Sequence, residues 1–284
     1  MTTVTQSDAR NDRSMQRRRR SEWIRTMILS IVVLVTLSPI LVVFWLALRP
    51  RLYSTITGPT FDTFAYVLQN TDILVWLKNS VTVSLFATCL SLLVAAPAGY
   101  VLSRARGGAV SAYSMLIFVI QSFPIVVFVI PLFIMFARIG LVDTLSGVAI
   151  IYVASSVSVA CWMMASYFDS IPVDLEEAAW IDGCSVFGAF VRVVLPNSLP
   201  GILSTAIYGF LVAWNDYLVA LVFLRTDSRF TLPIGLQTFF QQNQTDWGPV
   251  MACAVLMLAP PVLVFACLNR FFSVGGIGGS LAGR

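Results

Sequence analysis

The chain has 284 residues, 58% of them hydrophobic and only 11% charged, with a formal net charge of +4. A water-soluble domain of this length needs far more charge to cover its surface, so composition points to a polytopic membrane protein. There is no histidine, which excludes a histidine metal site, a Ser-His-Asp triad and a Cys-His pair.

The first segment, residues 1–26, is basic, with Arg10, Arg13, Arg17 to Arg20 and Arg25. Such a tail is expected to be disordered, drawn to anionic lipid and a determinant of topology. It looks like the start of a signal peptide, but the apolar run Met27–Leu48 is too long for one and lacks a small-x-small cleavage site. An uncleaved first span is expected. A bilayer core of roughly 30 Å takes about 20 helical residues to cross, and six stretches qualify: 27–48, 79–103, 111–137, 142–168, 200–224 and 249–272. They form one all-α, six-span unit, 27–272, followed by a tail, 273–284. Pro97, Pro124, Pro131, Pro260 and Pro261 with Gly99 and Gly209 predict kinks and close helix contacts within it. The five cysteines form no C-x-x-C pair and read as small hydrophobes.

An even number of spans puts both termini on one side. With the N-terminus inside, Arg104, Arg106, Arg192, Arg270 and Arg284 join the basic tail there. Arg49, Arg51, Lys78, Arg138, Arg225 and Arg229 face outside. The excess of inner charge favours this orientation. It makes residues 169–199 cytoplasmic and 49–78 and 225–248 the two long outer loops.

Ion-coupled transporters carry titratable groups inside the membrane. Here Asp143 sits at the edge of the fourth span and only Asp216, in the fifth, lies deep. That is thin equipment for an ion-coupled secondary transporter, the alternative reading. Nor is there a P-loop: the single lysine, Lys78, follows no glycine loop, so energy for active transport has to come from other chains. A membrane enzyme is disfavoured too, because the acids Asp174, Glu176, Glu177 and Asp182 spread around a helix axis instead of converging.

The 169–199 segment is far longer than a connector needs to be. Asp174 reads as an N-cap with Glu177 in capping-box position, and Gly183 as the residue that ends the helix. Leu175, Ala178, Ala179 and Asp182 share one face, and Ser185 caps a second helix that Leu195-Pro196 ends. An apolar face with two small residues suits docking of a partner protein.

The stretch "EAAWIDGCSVFGAFVRVVLPNSLPG" resembles the EAA loop of ABC-importer permeases, with Glu177, Ala178, Ala179, Asp182, Gly183, Val193, Leu195 and Pro196 on the pattern. "LALRP" (46–50), "AWNDYLVAL" (213–221), "TLPIGL" (231–236), "DWGPVMA" (246–252) and "NRFFSVGG" (269–276) are similar to carbohydrate-importer permeases of the maltose type, in particular the smaller six-span partner. The end, "GGSLAGR", departs from the lysine-glycine pair common in that family.

The resemblance implies a bacterial cytoplasmic-membrane permease that imports a sugar or sugar derivative by alternating access. Its partners would be a larger permease, two ATP-binding subunits, an extracytoplasmic sugar-binding protein or lipoprotein, and the bilayer, with no nucleic acid. No catalytic residue, cofactor or metal is expected in this chain; ATP and magnesium would sit on the ATPases. Glu177, Ala178, Ala179, Asp182, Gly183, Phe187, Leu195 and Pro196 would dock the ATPase. Trp214, Asn215 and Asp216 would line the pathway or fasten the two permeases, and Gln237, Phe240, Gln241 and Gln242 would touch the binding protein.

Overall fold

The computed structural model describes residues 4–52, 55, 57–240 and 245–281, and among these it is helical with no strand. In chain order the helices are α1 (Val4–Ala47), α2 (Asp62–Asn70), α3 (Ile73–Arg104), α4 (Gly108–Ser122), α5 (Ile125–Arg138) and α6 (Leu145–Asp169). They continue with α7 (Asp174–Ile181), α8 (Val186–Ala189), α9 (Leu195–Asn197), α10 (Leu199–Trp214), α11 (Leu218–Phe223), α12 (Leu232–Gln237) and α13 (Trp247–Leu281).

Helix α1 extends back through the basic segment to Val4, where the sequence predicts disorder. No proline or glycine separates the arginines from the apolar run, so one helix can propagate through both. Its apolar stretch packs chiefly on α13, and most of its side chains are left facing outward. For an apolar helix that is a lipid or partner surface.

The centre is the pair α3 and α6. Gly99 makes their contact possible: a Cβ there would lie 2.7 Å from the Met164 Cβ and 2.9 Å from the Cys161 carbonyl oxygen. Ser91 and Ser156 hydrogen-bond at 2.8 Å between the two helices, satisfying polar groups that lipid could not. Helix α10 lies against both. Gly201 sits under the ring of Tyr167, and Thr205 reaches the Met164 sulfur at 3.5 Å.

Among the described residues, four helices are continuous and apolar enough to cross a membrane: Glu22–Ala47, Ile73–Arg104, Leu145–Asp169 and Trp247–Leu268. The predicted span 111–137 is instead two helices, α4 and α5, bent by 93°. Pro124 lacks an N–H and forces Phe123 into extended backbone (φ −88°, ψ 128°), so the apolar run cannot continue as one helix. The predicted span 200–224 is likewise broken after Trp214, with α11 restarting at Leu218. A second sharp bend, 77°, separates residues 186–197 from α10. Counting each bent pair as one span gives at most six.

At the end of α3 near Ile73, the loop after α11 is sewn to the helix. Trp76 Nε1 donates to the Asp227 carbonyl at 2.9 Å, and Asn79 Nδ2 donates to the carbonyls of Ser228 at 3.0 Å and Phe230 at 2.9 Å. The Leu232 N–H donates to Ser80 Oγ at 2.7 Å. Asp143, in left-handed backbone at φ 57°, closes the same region. Its Oδ1 accepts the N–H groups of Arg225 and Thr226, and Arg229 pairs with Oδ2 at 3.1 Å.

Candidate functional site

The opposite end of the molecule carries the 169–199 segment. Pro172 and Val173 already turn into the helix (Val173 φ −64°, ψ −29°), so Asp174 is the first helical residue and caps nothing. The expected Asp174–Glu177 capping box is not formed; the three acids of the first turn instead complement the positive end of the helix dipole. Gly183 has φ +87° and reverses the chain, as its sequence position predicts. Ser185 caps α8, its Oγ accepting the Gly188 N–H at 3.1 Å. The chain then winds a π-turn, Phe190–Val194, before α9.

The face expected from spacing splits. Ala179 is buried against the protein, while Leu175, Ala178 and Asp182 remain exposed. The residue that turns inward beside Ala179 is Glu176, and its burial is complete at 0% exposure. Arg104, the last residue of α3, meets it: Nε donates to Glu176 Oε1 at 2.7 Å, and the Tyr100 hydroxyl donates to Oε2 at 2.6 Å. The rings of Tyr100, Phe168 and Phe190 surround the pair, with Tyr100 and Phe190 centroids 4.8 Å apart. A carboxylate buried there needs such partners. Helical spacing alone does not set Glu176 apart from Asp174, Glu177 and Asp182, because its partner lies on another helix.

The outer face of the segment is apolar and uncovered. Ile181 is 87% and Phe187 74% exposed, with Leu175, Trp180 and Val186 also open. Glu177, Ala178 and Asp182 lie exposed among them, as does Pro196, while Leu195 is half-buried and Gly183 forms the turn. The eight residues singled out for docking thus divide into a projecting set and, with Ala179, a seated one.

Trp214, Asn215 and Asp216 occupy three different environments. Trp214 is buried and stacks on Phe210 at 5.5 Å. Asn215 is exposed and donates to the Leu211 carbonyl at 3.0 Å. Asp216 holds the break together: its Oδ1 accepts the Tyr152 hydroxyl at 2.9 Å and the N–H groups of Val219 and Ala220 at 3.1 and 3.2 Å. It also borders a cavity of about 840 Å³ at the α4–α5 bend, beside Gln121, Tyr152, Ser155 and Tyr208. Gln237 accepts the Tyr217 hydroxyl, and Phe240 is exposed with its ring edge-on to Trp247. Gln241 and Gln242 lie outside the described residues.

The bundle of apolar helices is the build of a multi-pass membrane protein. Residues 95–274 match the family described as "Binding-protein-dependent transport system inner membrane component", and the chain belongs to that family as the permease subunit of an ABC importer. It is 33% identical over 208 residues to the inner membrane ABC transporter permease protein YcjP of Escherichia coli (strain K12), covering 73% of this chain and 74% of that one. It is 30% identical over 271 residues to the arabinooligosaccharides transport system permease protein AraQ of Halalkalibacterium halodurans, covering 90% and 96%. A crystal structure of a bacterial ABC transporter involved in the import of the acidic polysaccharide alginate has the same fold, with a TM-score of 0.73 at 21% identity over 89% of this chain and 97% of that one.

Proposed function

We propose that the chain is one half of the translocation pathway of an ATP-driven importer for a sugar or sugar derivative in a bacterial cytoplasmic membrane. The 169–199 segment faces the cytoplasm and seats an ATPase subunit. The observation that carries this reading is the uncovered apolar face of Leu175, Ile181 and Phe187 around Glu177 and Ala178, on helices too short to stand alone. Surface of that kind marks a protein interface. The exposed acids Asp174, Glu177 and Asp182 argue against an anionic lipid surface as its occupant. Closure of two ATPases on ATP moves this foot and rocks the bundle between inward and outward openings, a rigid-body switch powered from outside the chain.

The remaining partners are a larger permease and an extracytoplasmic sugar-binding protein or lipoprotein. Gln237, Phe240, Gln241 and Gln242 meet the binding protein. Asp216 with Trp214 and Asn215 braces the broken span at the pathway or at the second permease. The sugar assignment follows the arabinooligosaccharide relative together with the motifs read in the sequence.

The test is Glu177→Lys in the assembled complex. Membrane insertion stays normal while co-purification of the ATPase subunit falls, because Glu177 is proposed to face a basic residue of the ATPase and the lysine would repel it. Glu177→Gln keeps the shape and weakens docking less. Undiminished co-purification of the ATPase with Glu177→Lys would count against the docking role.

A further inference from the structure

We propose that Glu176, through Arg104, is the positioning residue that carries movement of the docking segment into α3. The inference rests on the docking reading above, and it concerns the face of the segment turned away from the ATPase.

Arg104 binds Glu176 of α7 and one carbonyl of the connector between α6 and α7 directly, and reaches the end of α6 through its neighbour Ser103. Its Nε donates to Glu176 at 2.7 Å and its Nη2 to the Ile171 carbonyl at 3.1 Å. Its Nη1 donates to Ser103 Oγ at 3.0 Å, and that hydroxyl donates to Asp169 Oδ1 at 2.6 Å. One turn earlier Tyr100 binds the second oxygen of Glu176 and packs on Phe168 and Phe190. The last turn of α3 therefore touches the end of α6, the start of α7 and the turn after α8.

A guanidinium satisfied in three fixed directions cannot pivot without breaking charge-assisted bonds. Glu176 is 0% and Arg104 17% exposed, so water is poorly placed to replace those bonds. The segment's exit toward α10 is less direct: it runs through the π-helical turn at Phe190–Val194 and the 77° bend into α10. A push on α7 is thus delivered to α3 first. Stability alone is a poor explanation for the pair, because well-packed apolar residues stabilise a buried position at least as well. Fixing one geometry between two helices is the role proposed for this pair.

The experiment uses the assembled complex, isolated through this chain, with spin labels at two exposed positions away from the docking segment, Leu74 on α3 and Ile130 on α5. The quantities read are the ATPase subunit retained and the change in inter-label distance on adding ATP. Glu176→Gln keeps the shape and the acceptor for Tyr100 but removes the charge. It is expected to retain the ATPase and to lower the ATP-driven population shift about tenfold, within the span of coupling between linked sites. Arg104→Lys keeps the charge and loses the fork, and its shift is expected to fall less. Should Glu176→Gln impair insertion, Arg104→Lys carries the test.

A full distance change in either variant with the ATPase retained overturns the proposal and leaves docking standing. Loss of the ATPase from Glu176→Gln also overturns it, since the residue would then serve the seat itself. Retention of the ATPase by both Glu177→Lys and Phe187→Ala strikes the docking reading instead.

Discussion

At one end of α3, Tyr100, Ser103 and Arg104 hold residues 169–176 by charge-assisted bonds in a dry, aromatic setting. At the other end, Trp76, Asn79 and Ser80 hold residues 227–232 by neutral bonds, all to main-chain groups. The ion pair nearby, Asp143 with Arg229, lies off α3 and is partly exposed. Neutral bonds to the main chain fix a loop whatever its side chains are. The charged clamp instead ties one particular side chain, Glu176, to one particular partner. The difference fits a fixed scaffold at the Trp76 end and a part whose exact placement matters at the Arg104 end.

The comparison can be broken most sharply at the charged end. Glu176→Ala leaves the Arg104 guanidinium without its ion partner, and loss of about 3 kcal/mol is expected, as for other buried pairs with one member removed. Thermal unfolding of the purified chain in detergent, against wild type, measures it. At the neutral end the largest effect is steric. A Cβ on Gly235 would stand 2.1 Å from the Trp76 indole, and Gly235→Ala is expected to cost about 2 kcal/mol by the same measurement. Asn79→Ala strips two bonds from the carbonyls of Ser228 and Phe230 and is expected to cost about 1 kcal/mol, with faster proteolysis of that loop in membranes.

The smallest effect is one of pH. Burial by itself raises the pKa of Asp143, but the bonds from Arg225 and Thr226, with Arg229 beside them, hold the carboxyl below its ordinary value. A depressed carboxylate stabilises the fold above its unfolded pKa of about 3.9 and loses that contribution as pH falls through the folded value. Asp143→Asn therefore narrows the acid-side fall in melting temperature. An unaltered pH profile would separate Asp143 from the anchoring of this loop.

Local chemistry was legible in the sequence wherever one residue decides a backbone angle or a cap. Gly183 at the turn and Ser185 as a cap both stand where spacing places them. Asp174 failed as a cap because Pro172 and Val173 start the helix before it. The 111–137 run was long enough to cross a membrane unbroken, and length outweighed the local signal of Pro124 in that reading. The charged clamp was hidden for a different reason. Arg104 and Glu176 are far apart in the chain, and nothing in the immediate neighbourhood of Glu176 separates it from the exposed Glu177.

One further consequence belongs to α3 itself, a single 32-residue helix of about 48 Å. Each residue added to or removed from it would turn one extremity by about 100° relative to the other. Trp76 and Arg104 face their loops only because the number of residues between them has the right remainder. The two loops are thus phased like keys cut on one shaft, so a single-residue insertion near Leu85 would misalign one lock or the other while altering no contact residue.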